Sequence, residues 1–460
     1  MPTLPKNTPS VKEMGSVNIL NAINNDLGGD YASRVPLAIS GDIKSLNAIG
    51  DVLMNFEPLR NSFLNALVNR IGRVVITSKM YENPWANFKK GILEYGETIE
   101  EIFVQLAKPY QFNPEDAENT LFKRYIPDVK SAFHTMNYQK FYPTTVSNDQ
   151  LRQAFLSFEG ITDLISRIIE QVYTAANYDE FLVMKYMIAR QALNGNIHSV
   201  NIPAVNKENA SEVTTAMVEK AKDLAFFSGK YNYAGVKTVT NPTELYTILT
   251  NKISSIFDVQ VLALAFHMEK AELLGRQVGV DSFGELDNER LTELFKDDPY
   301  TTFTPFNEQE LAELSTIMGL MVDVKWFMVY DNFIDMTEVY NGKGLYWTYF
   351  YHVWKTFSIS PFANAVLFTT EQPAVTSVAV SPDTATAGKG TQLQLTATVI
   401  TTGFADKGVH WEISGSETDS TVSQNGLVII GTDETESSIT VTATSLFDES
   451  KKATCTITIA

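Results

Sequence analysis

Apolar residues recur at spacings of three and four along one stretch of the chain. Leu151, Phe155, Phe158, Ile161, Ile165, Ile168, Val172 and Tyr173 fall on a single stripe, with Arg152, Asp163, Arg167 and Glu170 largely off it. The spacing predicts a long helix over 151–193. Phe181, Met184 and Ile188 carry it past an expected break near Asn177, and Asn194-Gly195 supplies a stop. Forty helical residues at about 1.5 Å each would run about 60 Å, longer than a compact domain needs. Phe63, Leu64, Leu67 and Val68 predict a shorter helix from about 61 to 70, and Ala216–Phe227, Leu262–Leu274 and Gln309–Met318 predict three more. Before residue 60, short apolar groups such as Val17, Ile19, Leu20 and Ile23 sit among polar stretches, which predicts an extended or partly helical arm that orders by docking.

Elsewhere the period is that of strands. Arg73–Thr77 and Thr98–Val104 are β-branched runs flanking the turn and surface signals Asn83-Pro84-Trp85 and Lys89-Lys90-Gly91, so a projecting hairpin is expected over 73–104. A hairpin this long has little core of its own, and its apolar residues need a neighbour. Val236–Thr240 reads as a strand. Met321–Tyr330 is a near-continuous apolar run suited to a buried strand, Asn341–Gly344 is a tight turn, Leu345–Phe357 is dense in aromatics, and Ala363–Phe368 closes the block. Near Pro373 the composition shifts to Thr, Ser, Val and Ala. Short alternating strands at Val375–Val380, Gln392–Val399, Val409–Ile413, Leu427–Ile430, Ser438–Ala443 and Ala453–Ile459 predict an all-β sandwich.

A chain of 460 residues is too long for one core, so two or three domains are expected. Its formal charge is −18, of which the tail beyond 372 carries −6 (four Lys/Arg, ten Asp/Glu) and the remainder −12. Both parts repel phosphate backbones, which argues against tight nonspecific nucleic-acid binding. No run of eighteen uncharged apolar residues reads as a membrane span, and the first nine residues, with three prolines, do not read as a secretory signal. Cys455 is the only cysteine, so no disulfide forms within the chain. Manufacture in a cytoplasm is the expectation.

Candidate chemistry is sparse. Histidines 134, 198, 267, 352 and 410 show no HExxH or paired metal spacing, and His352 among aromatics reads as a hydrogen-bonded structural residue. No phosphate loop or nucleophile elbow is present. The acidic pairs Glu100-Glu101, Asp179-Glu180 and Asp297-Asp298 read as solvated faces, because adjacency does not produce the opposed carboxylates that glycoside hydrolysis needs. Tyr346–Trp354 could line a sugar platform, but large rings on both strand faces point to burial on both sides. Lys79, Lys89 and Lys90 beside Trp85 form a basic, aromatic cluster, expected to meet the acidic surface of an adjoining subunit rather than nucleic acid. No catalytic, cofactor-binding or metal-binding residue is assigned, and no enzyme activity is expected.

Two blocks resemble known families. WFMVYDN (Trp326–Asn332), GLYW (Gly344–Trp347), YHVW (Tyr351–Trp354) and FANAV (Phe362–Val366) are similar to segments of the phi29-like podovirus major capsid proteins. RIG (Arg70–Gly72), TIEEI (Thr98–Ile102) and NAI (Asn21–Ile23) add weaker matches, and residues 200–320 match poorly. The tail resembles a group 2 bacterial immunoglobulin-like domain, with VSP (Val380–Pro382), Gly388 before Gln392-Leu393, Trp411, GLV (Gly426–Val428) and CTITI (Cys455–Ile459).

The resemblance implies an α+β, HK97-like phage capsid fold over 1–372. Its parts would be an arm at about 1–60, an extended loop at about 73–104, a peripheral domain with its spine helix at about 151–193, a mainly axial domain at about 200–320 and a returning β block at about 321–368. An immunoglobulin-like sandwich would follow at 373–460. The implied function is a major capsid protein, self-assembling as hexameric and pentameric capsomers into an icosahedral or prolate shell around the double-stranded DNA of a tailed bacteriophage. Implied partners are sister copies, a scaffolding protein, a portal protein and packaged DNA held without sequence-specific contact, with no membrane and with assembly in the host bacterial cytoplasm. Some shells of this fold crosslink a Lys to an Asn. Lys89 or Lys90 and Asn364 are conceivable partners, but no assisting acid is identifiable and no crosslink is expected. Rival readings are a secreted or surface carbohydrate-binding protein with an accessory immunoglobulin-like domain, and a phage tail or decoration protein.

Overall fold

The computed structural model describes residues 16–74, 81–93, 98–107, 109–110, 124–125, 127, 129–156, 160–264, 276–301, 303–416 and 419–459. Four helices occupy the region expected to be an arm: α1 (Ser16–Leu27), α2 (Gly29–Arg34), α3 (Ile43–Asn55) and α4 (Glu57–Val74). Leu20, Ile23, Leu46, Ile49, Leu53, Phe63 and Leu67 bury their apolar stripes against one another, so this segment is a compact helical module and not extended chain. Asn21 fixes the turn after α2 by accepting from the Ala38 amide at 2.7 Å and donating to the Ala38 carbonyl at 2.9 Å. The strand expected at 73–77 is corrected at its first two residues. Arg73 and Val74 close the last turn of α4, because an established helix propagates through a β-branched residue at little cost. Residues 75–77 lie outside the described residues, as does Lys79.

Lys89-Lys90-Gly91 is not an exposed tip. It lies in a strand, β1 (Lys89–Ile92), which pairs parallel with residues 329–331 of the body. The expected strand β2 (Thr98–Val104) forms, but its partner is β3 (Val129–Thr135), in register from Thr98↔Thr135 to Val104↔Val129. The strand Thr98–Val104 therefore pairs with Val129–Thr135 and not with the expected 73–77. β4 (Tyr138–Ser147) leads into α5 (Asn148–Ala154), opened by a capping box between Ser147 and Gln150.

α5 ends in a turn at Phe155 and Leu156, and α6 (Gly160–Leu193) then runs for 34 residues, about 51 Å, straight through Asn177. The predicted long helix is thus two helices, broken near its start and not at 177. A side chain at Gly160 would meet the Ala154 carbonyl oxygen at 2.3 Å, so only glycine fits that junction. The helix stops where expected. Gly195 takes φ +73°, its amide reaches Ala192 O at 2.9 Å, and the Asn196 amide reaches Gln191 O at 2.9 Å, the Schellman arrangement.

The following segment builds one five-stranded sheet. Its elements in chain order are β5 (His198–Asn201), α7 (Ala210–Asp223), β6 (Leu245–Thr250), α8 (Asn251–Leu264), β7 (Arg276–Val280), α9 (Asn288–Leu294), α10 (Glu308–Leu314) and β8 (Ile317–Asp323), followed by β9 (Phe327–Asn341), β10 (Tyr346–Ile359) and β11 (Ala365–Thr369). The sheet order is β5-β11-β8-β6-β7, and a second sheet runs β1-β9-β10-β4. Several boundaries differ from expectation. α7 ends at Asp223, 265–274 lie outside the described residues, and Val236–Thr240 contributes only one bridge, Ser228↔Thr238. The apolar run 321–330 is two strands split by a turn, since Asp323 caps it by accepting from the Lys325 amide at 2.8 Å. At the β9–β10 turn, Asn341 Oδ1 accepts from the Lys343 and Gly344 amides, and the positive φ falls on Leu345.

β9 carries a bulge at Asn332, where Lys355 pairs with Asp331 and Trp354 with Phe333. One extra residue reverses the alternation. Before it Phe327, Val329 and Asp331 point inward, whereas after it Met336 and Tyr340 do.

Beyond Pro373 lie β12 (Ala374–Ser381), β13 (Thr384–Ala387), β14 (Gln392–Gln394), β15 (Thr396–Thr402), β16 (Val409–Ser414), β17 (Thr421–Val422), β18 (Leu427–Ile429), β19 (Ser438–Ser445) and β20 (Lys452–Ile459). Leu395, Trp411, Val428, Val441, Cys455 and Ile457 fill the sandwich core. This domain is seated on the body. Phe404 is buried in the main core, and Lys407 Nζ donates to Leu193 O at 2.6 Å, satisfying a carbonyl that the end of α6 leaves free. A side chain at Gly195 would strike Ala405 O at 2.5 Å.

Candidate assembly surface

Where α6 crosses β9 and β10, charge is buried. Glu180 accepts from Asn83 Nδ2 at 2.6 Å, lies 3.1 Å from Lys89 Nζ, and is ion-paired with Lys355. Asp331, inward in the alternation that begins at Phe327, meets Lys89 at 2.7 Å and Lys355 at 2.5 Å. Desolvation pushes both carboxyls up, but the two ammonium groups overcome it and hold Glu180 and Asp331 below the ordinary carboxylate range. Beside this square, Asp179 takes two bonds from Arg290 at 2.8 Å each and one from Tyr142 at 2.8 Å. Asp298 is buried against Lys140. Asp179-Glu180 and Asp298 are therefore not solvated, as adjacency had suggested, because a cation from another element meets each carboxylate.

The basic, aromatic cluster is corrected too. Trp85 is fully buried and donates to Gly279 O at 3.1 Å, Lys89 is spent inside its own chain, and Lys90 donates to the Val324 carbonyl. Asn364 is buried, accepting from Asn232 and donating to Thr240 at 3.2 Å, and neither lysine is bonded to it. The histidines are dispersed. His134 lies 2.7 Å from Ser358 Oγ, His352 3.0 Å from Thr337 Oγ1, and His410 is exposed beside Glu412, while His267 lies outside the described residues. Burial, then Lys230 and Lys220, push His198 down to about 4.

What the chain does present is apolar surface. The inner face of the β2–β3 hairpin is anchored to the body. Phe103 stacks on Phe362 at 5.7 Å, Ser360 donates to Glu101 at 2.9 Å, and Lys130 Nζ reaches Ala234 O at 2.9 Å. Its outer face is open. Ile102 is 58 % exposed and Phe133 63 %, with Val104 and Val129 beside them. The β4–β10–β9 sheet repeats the theme. Trp347, Tyr349, Tyr351 and Val353 point inward, while on the other face Phe141 and Phe333 are exposed and Phe350, His352 and Trp354 half-buried, a second aromatic face left partly open. Burial on both sides, expected from the rings, is not achieved within one chain. Contiguous apolar surface of this kind marks a contact site.

A body with an anchored, outwardly apolar hairpin and a second, partly open aromatic face is that of a subunit built to be covered by others. Comparison with known proteins names the class. Residues 20–369 match the Phi29-like phage major capsid protein family, and residues 374–457 match the group 2 bacterial immunoglobulin-like domain. The major capsid protein of Bacillus phage PZA is 35% identical over 434 residues, 93% of this chain and 90% of the relative. That of Bacillus phage B103 is 34% identical over 437 residues, again 93% and 90%. Among solved structures, the capsid of Staphylococcus phage Andhra is similar with a TM-score of 0.49 at 17% identity, covering 64% of this chain and 86% of that one. The chain belongs to the Phi29-like phage major capsid protein family, and it is a structural subunit of a tailed-phage head with an appended immunoglobulin-like domain. The carbohydrate-binding reading is not favoured.

Proposed function

We propose that copies of this chain close, as hexameric and pentameric capsomers, into a shell that holds double-stranded DNA, built with a scaffolding protein and joined to a portal protein in the host cytoplasm. In this reading the HK97-like parts are the paired strands β2 and β3 as extended loop, α6 as spine helix and the five-stranded sheet with its helices as axial domain. The observation that carries it is the open outer face of that hairpin, with Ile102, Val104, Val129 and Phe133 uncovered by their own chain. A neighbouring copy covers this face, and closed symmetry repeats the burial around every subunit. A charge of −18 keeps packaged DNA from adhering to the wall, without sequence-specific contact. The immunoglobulin-like domain, seated through Phe404 and Lys407, braces the shell as part of its own subunit. No catalytic step is assigned to any residue.

Co-expression with the scaffolding protein followed by sedimentation and negative-stain microscopy tests the proposal. Closed particles of megadalton mass are expected. A preparation that yields only small soluble species, with the subunit folded, overturns it.

A further inference from the structure

The strand expected at 236–240 is instead the return arm of a rigid loop. The Ser228 and Thr238 backbones bond each other in both directions at 3.2 Å, and Asn232 donates to Val236 O at 2.7 Å while accepting from the Val236 amide at 2.9 Å. The Ala234 amide is tied to Pro361 O at 2.9 Å. At and beside this fixed frame stand Phe226, 72 % exposed, Phe227, 62 %, and Tyr233, 67 %. Around them Lys222, Lys230 and Lys237 are exposed and make no ion pair with a described residue. Rigid aromatics flanked by cations lose little freedom on binding and suit the centre of an interface.

A complementary surface lies elsewhere on the same chain. A concavity of about 610 Å³ is lined by Asn288, Glu289, Thr292 and Glu293 of α9. Glu289 and Glu293 are exposed and likewise without an ion pair among the described residues. The two surfaces are anchored at different points along α6. The loop packs Tyr231 against His198 of β5, ring centres 5.2 Å apart, just beyond the end of α6 at Leu193, whereas Arg290 of α9 is held by Asp179 of α6. Asp179 precedes Leu193 by fourteen residues, about 21 Å along the helix. The loop cannot reach its own chain's concavity, but a second copy beside it presents one.

We infer that the Phe226–Lys237 loop of each subunit docks into the Glu289/Glu293 concavity of the next copy, a head-to-tail contact that propagates around a ring of subunits. The partner is a sister copy because the bare cations face bare carboxylates, and both come with every subunit. The inference rests on the shell reading above and adds a named contact to it.

A charge exchange tests it in full-length protein co-expressed with scaffold. Lys230→Glu with Lys237→Glu, and separately Glu289→Lys with Glu293→Lys, are each expected to cut the yield of closed shells by about tenfold or more, since like charges then face each other. Combining all four is expected to restore the yield to within about twofold. Either pair assembling at wild-type yield, or a folded quadruple variant that stays deficient, overturns the contact. Should a charge variant fail to fold, Phe226→Ser with Phe227→Ser replaces it, and wild-type shell yield from that variant equally overturns the contact. If the unaltered chain forms no shells, it is the shell reading that fails instead.

Discussion

Replacing Glu180 by glutamine is expected to lower the stability of the dissociated subunit by about 3–5 kcal/mol, the range for breaking a buried ion pair from one side. The change is nearly isosteric, so packing is retained. It leaves Lys355 and Lys89 sharing only Asp331 as carboxylate, and Lys355 is buried away from bulk solvent. The fall should show as a lower urea midpoint at unchanged slope. The exposed pair Arg34–Asp30, 2.9 Å apart, is the control, and Asp30→Asn should cost less than about 0.5 kcal/mol. The pH dependence has a definite sign. Because Glu180 and Asp331 are held below the ordinary range, their contribution is present above the unfolded values near pH 4 and is lost as pH falls through the lower folded values. The penalty of Glu180→Gln should therefore be full at neutral pH and shrink in acid.

The second large effect falls on assembly and leaves folding alone. Ile102→Asp combined with Phe133→Asp places two carboxylates on the outer face of the hairpin, beside Glu100, where the free subunit exposes them to water. Surface changes of this kind move subunit stability by no more than about 0.5 kcal/mol. In a shell both charges enter an apolar contact unpaired, which costs at least about 3 kcal/mol per interface, a factor of more than about 100 in each association step. The variant is expected to yield folded subunits and almost no shells in a sedimentation assay. Wild-type shell yield would remove the hairpin from the contact.

How much of this was readable beforehand depends on whether the signal was local. The stripe from Leu151 to Tyr173 marks helix but hides the junction between α5 and α6, because spacings of three and four are a local signal and carry on in the sequence past the turn at Phe155. The sandwich strands beyond 373 are legible by alternation, except that the short β13 and β17 give no signal and the run Gln392–Val399 divides at Leu395 into β14 and β15. The hairpin is not legible in the sequence because strand pairing is non-local. Val74 belongs to α4, and the true partner of Thr98–Val104 lies about thirty residues downstream. The buried square was illegible for the same reason. Lys89, Glu180, Asp331 and Lys355 come from four elements, and only the pairing of β1 and β10 with β9 brings them together. Lysines beside a tryptophan read as surface in the sequence, whereas Trp85 lies in the core. The assembly surface itself was half visible. The aromatic density of Tyr346–Trp354 was plain, but which of its two faces the chain leaves open is decided by what packs on the other.

The central claim is that sister copies cover apolar surface which one chain leaves bare. Hydroxyl-radical labelling, read residue by residue on closed shells and on dissociated subunits, measures this directly. Ile102 and Phe133 should be oxidised readily in the free subunit and be protected in the shell, while Leu446 on the immunoglobulin-like domain, exposed in the single chain, calibrates the dose. Equal oxidation of Ile102 and Phe133 in both states would contradict the account.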